Sequence, residues 1–423
     1  MVDVIAFPCI RPHAEMAREV ASLPYDVFKL DEAKEEIKRH PHSFLRIDMA
    51  EATFAEEIDH NDDAVFEKSR QMLDEDIRDN IYISNPEPLY YLYRLTTPDG
   101  KSQTGLVGCV SIDDYQKGNI KKHEKTRADK EINRIKHVDI CSAQTGPIFL
   151  TYRSNGMVEQ VAEKISKQYP LYDFVADDGV GHTVWSIDDL VDAAVINQAF
   201  EQTDALYIAD GHHRAASAVK AGFLRRKKAQ KDSQNSVAGS FAEKSPLESD
   251  YFLSVIFPSD QLNILDYNRV VADLNGMDKQ EFLSRVKECF YLSEPQNEPI
   301  KPQSKGSFGM YLDGFWYILS AKESFMSKDP VDGLDVSILQ DKLLEPILGI
   351  QDPRSDERID FVGGIRGLEE LERRTKTDMK VAFSLFPTSI EELFEVADEN
   401  LLMPPKSTWF EPKLRSGIFI HRI

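Results

Sequence analysis

The stretch Ala205-Leu-Tyr-Ile-Ala-Asp-Gly-His-His-Arg-Ala-Ala-Ser-Ala-Val-Lys220 runs an apolar segment straight into a small-residue helical pattern, with only Asp210 and Gly211 between them. Residues 205–209 read as a buried strand, and Ala215, Ala216, Ala218 and Ala221 as a close-packed helix starting at His212. A helix that begins where a strand ends presents unpaired N–H groups and the positive end of its dipole. Such a turn is suited to an anion. Gly211 lets backbone approach a ligand closely, and Arg214 offers a planar fork for phosphate oxygens. His212 and His213 complete a phosphate-binding set. Asp210, at the strand end, is a candidate to hold a magnesium ion or a hydroxyl. A plainer reading makes Asp210 an N-cap, Gly211 a turn residue and the histidines surface groups. That reading does not account for two histidines followed by an arginine.

Upstream, a basic helix is expected over 127–138, carrying Lys130, Arg134 and Lys136, then a strand at 147–152 and a helix over 156–168. A β pair (173–176 and 182–187) and a helix over 188–201 follow. Arg134 is a candidate phosphate ligand or part of an exposed charged face. The first third reads as a strand at 2–7, a rigid turn at Pro24-Tyr25-Asp26, and helices over 31–39 and 63–78, with Asp31 as N-cap of the first. Strands at 89–94 and 104–111 flank the turn 97–100. Downstream, 225–248 is polar and reads as a mobile loop or frayed helix end. A strand at 251–257 follows, and 265–271 opens another unit. A hairpin over 308–319 turns at Asp313-Gly314, and helices over 336–348, 367–376 and 389–399 alternate with a strand at 381–385. The expected class is α+β, divided as an N-terminal α+β region (1–119), a catalytic core (120–248) and a C-terminal α+β region contributing substrate-binding loops (249–423).

Bulk properties bound the function. A net charge of −21, from 72 acidic and 51 basic residues, argues against non-specific binding to nucleic acid. The four cysteines form no CxxC pair, so reduced thiols in a cytoplasmic protein are expected. No apolar run approaches the ~20 residues that span a bilayer, and the opening MVDVIAFPCIRP reads as a strand rather than a secretion signal. The Walker-type P-loop, HExxH and GxSxG patterns are all missing.

Asp210-Gly-His-His-Arg214 resembles the DGHHR element of the ParB/sulfiredoxin-like superfamily, in particular of the free L-serine kinases. In those kinases a Glu in an upstream Lys-Pro-His-Glu element is the catalytic base. Here Ile120-Lys-Lys-His-Glu-Lys-Thr126 is similar, with Lys122 where Pro is common. The whole chain also resembles a bacterial family catalogued as domain of unknown function 1015. The matching stretches are Pro24-Tyr-Asp-Val27, His123-Glu-Lys-Thr126, Asp210-Gly-His-His-Arg214, Phe361-Val-Gly-Gly-Ile365 and Met403-Pro-Pro-Lys-Ser-Thr-Trp-Phe-Glu-Pro-Lys413.

The resemblance implies a ParB/sulfiredoxin-like mixed α/β core and a kinase making O-phospho-L-serine from free L-serine. The implied donor is ATP, with ADP or pyrophosphate as alternatives, and the implied cofactor is magnesium. Glu124 would be the general base and Asp210 the second catalytic carboxylate and magnesium ligand. Gly211, His212, His213, Arg214 and Arg134 would bind phosphates. Tyr25, Asp26, His123, Thr126, Lys406, Ser407, Thr408 and Lys413 would bind substrate. The partners expected are L-serine and a nucleotide, with no nucleic acid and no membrane; the oligomeric state is open. The alternative from a different class is a nucleotide-binding ParB-like regulatory or adaptor protein without turnover. A sulfiredoxin-like redox ATPase would instead need a reactive cysteine, of which Cys141 is nearest in sequence to Asp210.

Overall fold

Ile148–Tyr152 is buried at every position and Leu206–Asp210 at all but the last. A short apolar run without alternation suits a strand covered on both faces. The computed structural model, which describes residues 1–126, 128–235 and 246–423, places both runs in a mixed sheet of twelve strands. Its main path is Ile120–Lys121, Leu206–Asp210, Ile148–Tyr152, Tyr251–Pro258, Ser102–Ser111, Tyr82–Thr96, Phe7–Pro12, Ile420–Arg422 and Ala143–Gln144. Leu206–Asp210 is antiparallel to Ile148–Tyr152 and parallel to Ile120–Lys121. Apolar side chains of the helices Met157–Ile165, Leu190–Glu201 and His212–Asn235 pack on this sheet around Leu106, Ile148, Leu150, Ile208 and Ile256. Fully burying one such Leu or Ile stabilises by about 1.5–3 kcal/mol.

The chain forms two units. One comprises Met1–Lys121, Thr126–Leu262 and Pro412–Ile423; the other comprises Lys122–Lys125 and Asn263–Glu411. These boundaries differ from cuts at 119/120 and 248/249, because the three stretches share one sheet. Ser102–Ser111 pairs with Tyr251–Pro258, which in turn pairs with Ile148–Tyr152. The second unit's long stretch begins at Asn263.

In the second unit, Phe290–Leu292, Phe315–Ala321, Ser307–Leu312, Val381–Ser384, Tyr267–Val271 and Ile359–Gly363 form, in that order, an antiparallel six-stranded sheet. Asp313 and Gly314 both take positive φ at the hairpin turn, as a two-residue turn matched to strand twist requires. Leu371 of the helix Gly367–Thr377 packs with Val270, Tyr311, Trp316 and Val362. Asn263–Leu265 and Trp409–Glu411 make a separate two-stranded pair.

Three local expectations are refined or shifted. The helix expected over 31–39 is Leu30–Arg39 and is capped at Lys29, whose N–H donates to the Glu32 carboxylate at 2.8 Å, so Asp31 lies inside the first turn. Of the two readings for the polar stretch, loop or end of the preceding helix, residues 225–235 follow the second and continue the helix His212–Asn235. Within that polar stretch, 236–245 lies outside the described residues, as does Arg127 at the start of the basic helix, which is Ala128–Cys141. Finally, 336–348 is a short α-helix, Asp335–Leu339, continued by a π-helical turn, Gln340–Leu344. Among the described residues no helix is long and apolar enough to cross a membrane.

Candidate functional site

The register of Leu206–Asp210 against Ile148–Tyr152 shifts between Ile208 and Asp210. Such a bulge re-aims the side chain at the strand's end, and that side chain is Asp210. Gly211 follows at φ +90°, a conformation that L side chains avoid, and the helix starts at His212. A Cβ on Gly211 would lie 3.2 Å from Nε of Arg214, because the guanidinium folds back across the turn. Arg214 donates from Nη1 to the Pro147 carbonyl at 2.9 Å and from Nη2 to Oδ2 of Asp210 at 3.1 Å. Its Nε is buried and finds no acceptor among the described residues. Lys413 Nζ lies 3.5 Å from Oδ1 of Asp210.

The electrostatics follow from this packing. Burial works to raise the pKa of Asp210, but the charges of Lys413, Arg214 and His212 outweigh it and hold the carboxyl below its usual range. Burial works against the charge on Arg214, and Asp26, Asp210, Tyr25 and Asp48 more than restore it. Tyr25 and Asp26 therefore lie within electrostatic reach of the turn, carried by the 3₁₀ turn Tyr25–Val27 behind Pro24. Arg134 is buried and engaged: its guanidinium stacks on Tyr25 at 4.0 Å and pairs with Asp48 at 3.5 Å. Thr145 also donates to Asp48, at 2.8 Å. His212 is buried and His213 half-buried in the helix's first turn. The Thr126 hydroxyl bonds to Glu131, which pairs with Lys220.

The second unit gathers a different set. Met403 N–H donates to the His123 carbonyl at 2.8 Å, and the Thr408 hydroxyl lies 3.3 Å from Nε2 of His123. This ties the segment Lys122–Lys125, with the half-buried Glu124, to the 403–408 loop. Ser407 Oγ donates to the Pro404 carbonyl at 2.6 Å, and the Thr388 hydroxyl donates to the Ser407 carbonyl at 2.9 Å. Lys406 takes φ +59° and holds its ammonium 5.5 Å from the Tyr267 ring centroid. Gly363 is filled from within: a Cβ there would lie 2.7 Å from the Trp409 ring, and one on Gly364 would lie 2.5 Å from Asp266. The protein's own side chains, rather than a ligand, account for that glycine pair.

Of the expected residues, Asp210, Gly211, His212, His213, Arg214, Lys413, Tyr25 and Asp26 thus share one unit, as do Arg134 and Thr126. His123, Glu124, Lys406, Ser407 and Thr408 share the other. Lys413 belongs with Asp210 and not with the loop that precedes it. Asp48 was missed, since nothing in its local sequence marks it. Arg269 was missed as well, although an arginine inside the apolar run Tyr267–Val271 is a signal of buried charge.

The set around Asp210 fits an anion such as a polyphosphate: two side-chain cations, a helix start and a glycine without a Cβ. It does not fit a magnesium ion held by Asp210, because both carboxylate oxygens already face a cation that would repel the metal.

Comparison with known proteins gives one family and distant folds. The sequence pattern of a family described as a protein of unknown function, DUF1015, matches residues 4–337. No curated protein matches. Among solved structures, a free serine kinase in complex with AMP is similar at 15% identity over 77% of this chain and 94% of that chain, with a TM-score of 0.34. A conserved hypothetical protein from Pyrococcus furiosus is similar at 14% identity over 74% and 94%, with a TM-score of 0.35. SbnI with a C-terminal truncation, from Staphylococcus aureus, is similar at 10% identity over 72% and 82%, with a TM-score of 0.37. The family match spans well over half of the sequence, and the chain belongs to the DUF1015 family of proteins of unknown function.

Proposed function

We propose that this protein is a small-molecule kinase that transfers a phosphoryl group from ATP to the hydroxyl of free L-serine, with its strand-to-helix turn in a ParB/sulfiredoxin-like core. The observation that carries the reading is the Asp210 turn: a carboxylate set between Arg214 and Lys413 at a helix start, behind a left-handed glycine. Phosphoryl transfer asks mainly for positioning and charge stabilisation, and fixed cations beside the N–H groups of a helix start supply both.

In this reading the helix start, with Gly211, His212, His213 and Arg214, holds the phosphates, and Asp210 orients Arg214 and Lys413 toward them. Glu124 accepts the seryl proton as the oxygen attacks the γ-phosphorus. The bond from that phosphorus to the β-phosphate bridging oxygen breaks, ADP leaves, and O-phospho-L-serine remains. His123 and Thr408 orient the acceptor, and Lys406 and Ser407 bind it. A redox role has little support. Burial raises the Cys141 thiol to about 12, which leaves it a poor nucleophile.

The test is incubation of the full chain with magnesium, each amino acid, and ATP, ADP or pyrophosphate as donor, read by mass spectrometry. L-Serine with ATP is expected to give phosphoserine, and Glu124→Gln to abolish it while nucleotide affinity stays within about threefold. Nucleotide binding without any phosphoserine would favour a binding module and end the kinase reading.

A further inference from the structure

Arg269 lies on the strand Tyr267–Val271 and is 3% exposed. One terminal nitrogen donates to the carbonyl of Tyr267. The other donates to the carbonyls of Lys406 at 3.0 Å and Pro405 at 3.4 Å, and the guanidinium lies 5.3 Å from the Phe361 ring centroid. Among the described residues no carboxylate pairs with it. The nearest acid along the strand, Asp266, accepts from Asn268 Nδ2 at 2.5 Å, and Asp360 pairs with Arg374 at 2.8 Å. Burial lowers the pKa of Arg269 only to about 10, so the charge persists at neutral pH.

A buried cation normally sits against an acid, because an unpaired one is expensive to desolvate. This one is satisfied by carbonyls alone, and two of them belong to the 403–408 loop. In a trans peptide the N–H points opposite to the C=O. With the carbonyls of Pro405 and Lys406 drawn toward Arg269, the N–H groups of Lys406 and Ser407 point the other way. Lys406 is left-handed, and successive N–H groups in such a turn make an anion-binding concavity. An acid beside Arg269 would neutralise that concavity and compete with any anionic ligand.

We infer that Arg269 is a positioning residue that shapes the 403–408 loop into a receptor for a carboxylate, namely the α-carboxylate of an amino acid. The inference rests on the reading that this loop binds the acceptor, and it deepens that reading by naming the group recognised. Arg269 need not touch the ligand: it fixes the loop through its carbonyls and supplies the net charge.

The experiment is hydrogen exchange of the full-length protein, following the amides of Lys406, Ser407 and Thr408 with L-serine and with L-serinamide, which lacks the carboxylate. L-Serine is expected to protect these amides in the wild type, L-serinamide is not, and Arg269→Met is expected to lose the protection. In steady-state kinetics Arg269→Met should raise KM for L-serine about tenfold or more with kcat and KM for ATP little changed, and Arg269→Lys should fall between. Equal protection by the two ligands, none by either, or full protection retained in Arg269→Met would overturn the inference. Should Arg269→Met fail to fold, the wild-type comparison and Arg269→Lys still decide it. If L-serine protects the loop but no phosphoserine forms, the kinase reading falls and this one stands. If phosphoserine forms without any dependence on the carboxylate, the reverse holds.

Discussion

Acidification should destabilise this protein through His182, by an amount the structure lets one work out. His182 is fully buried between the rings of Tyr93 and Phe174, whose centroids lie 5.8 and 5.1 Å from its own. Its Nε2 accepts from Nε of Arg415 at 3.3 Å, so the ring proton sits on Nδ1, which lies 2.7 Å from the Tyr93 hydroxyl. A second proton would desolvate a charge and set it against a guanidinium. Burial first, and Arg415 second, push the pKa from 6.5 to about 3. The folded state therefore binds the proton more weakly than the unfolded chain. The stabilisation is complete above about pH 6.5 and is lost as the pH falls toward about 3. At pH ~5 the loss from this residue alone is about 2 kcal/mol.

Urea unfolding at pH ~7.5 and ~5 measures it. The drop in stability between the two should be about 2 kcal/mol smaller in His182→Gln than in wild type. Equal drops in the two proteins would mean that His182 takes up its proton without cost, and would refute the burial argument.

Three further outcomes are expected. Gly211→Ala forces a side chain into φ +90° with its Cβ 3.2 Å from Arg214 Nε; it should cost about 1–3 kcal/mol in urea unfolding and weaken ATP binding in calorimetry. Gly363→Ala puts a methyl 2.7 Å from the Trp409 ring; it should cost about 1–3 kcal/mol and change the tryptophan emission, and an unaltered spectrum would deny the packing. Lys413→Met removes one of the two ion-pair partners that Asp210 has among the described residues; it should weaken ATP binding about tenfold or more while leaving KM for L-serine nearly unchanged.

The Asp210 turn could be read from sequence because its determinants are contiguous: an apolar run, a glycine and a small-residue helix. The bulge before Asp210 could not, because it exists only against its pairing partner, Ile148–Tyr152. The polar run at 225–235, open between a loop and the end of the preceding helix, is decided for a related reason. Its Arg, Lys, Ala and Gln residues are good helix formers, and long-range pairs hold its start: Arg225 with Asp139 at 2.9 Å, and Arg226 with Asp113 and Asp250 at 2.8 Å each. Low apolar content left a loop open, and propensity and distant acids select the helix end. Arg134 reads as a phosphate ligand or an exposed helix charge, and neither reading foresees that Asp48 and Tyr25, more than eighty positions away, enclose it.

The stretch 403–413 shows why adjacency in sequence is a weak guide to shared work. Lys406, Ser407 and Thr408 belong with His123 and Glu124, and Lys413 belongs with Asp210 and Arg214. The boundary falls between Glu411 and Pro412, just after the short strand Trp409–Glu411 pairs with Asn263–Leu265. Two anion-seeking groups a few residues apart therefore answer to different neighbours. Lys413 is held against the Asp210 carboxylate, whereas the loop's carbonyls accept from Arg269, which pairs with no acid among the described residues. That contrast suits two kinds of anion. A polyphosphate is best met by several oriented cations, and a single carboxylate by a rigid turn of N–H groups. In the proposed reading, a kinase that must discriminate a nucleotide from an amino acid gains specificity by building the two receptors differently.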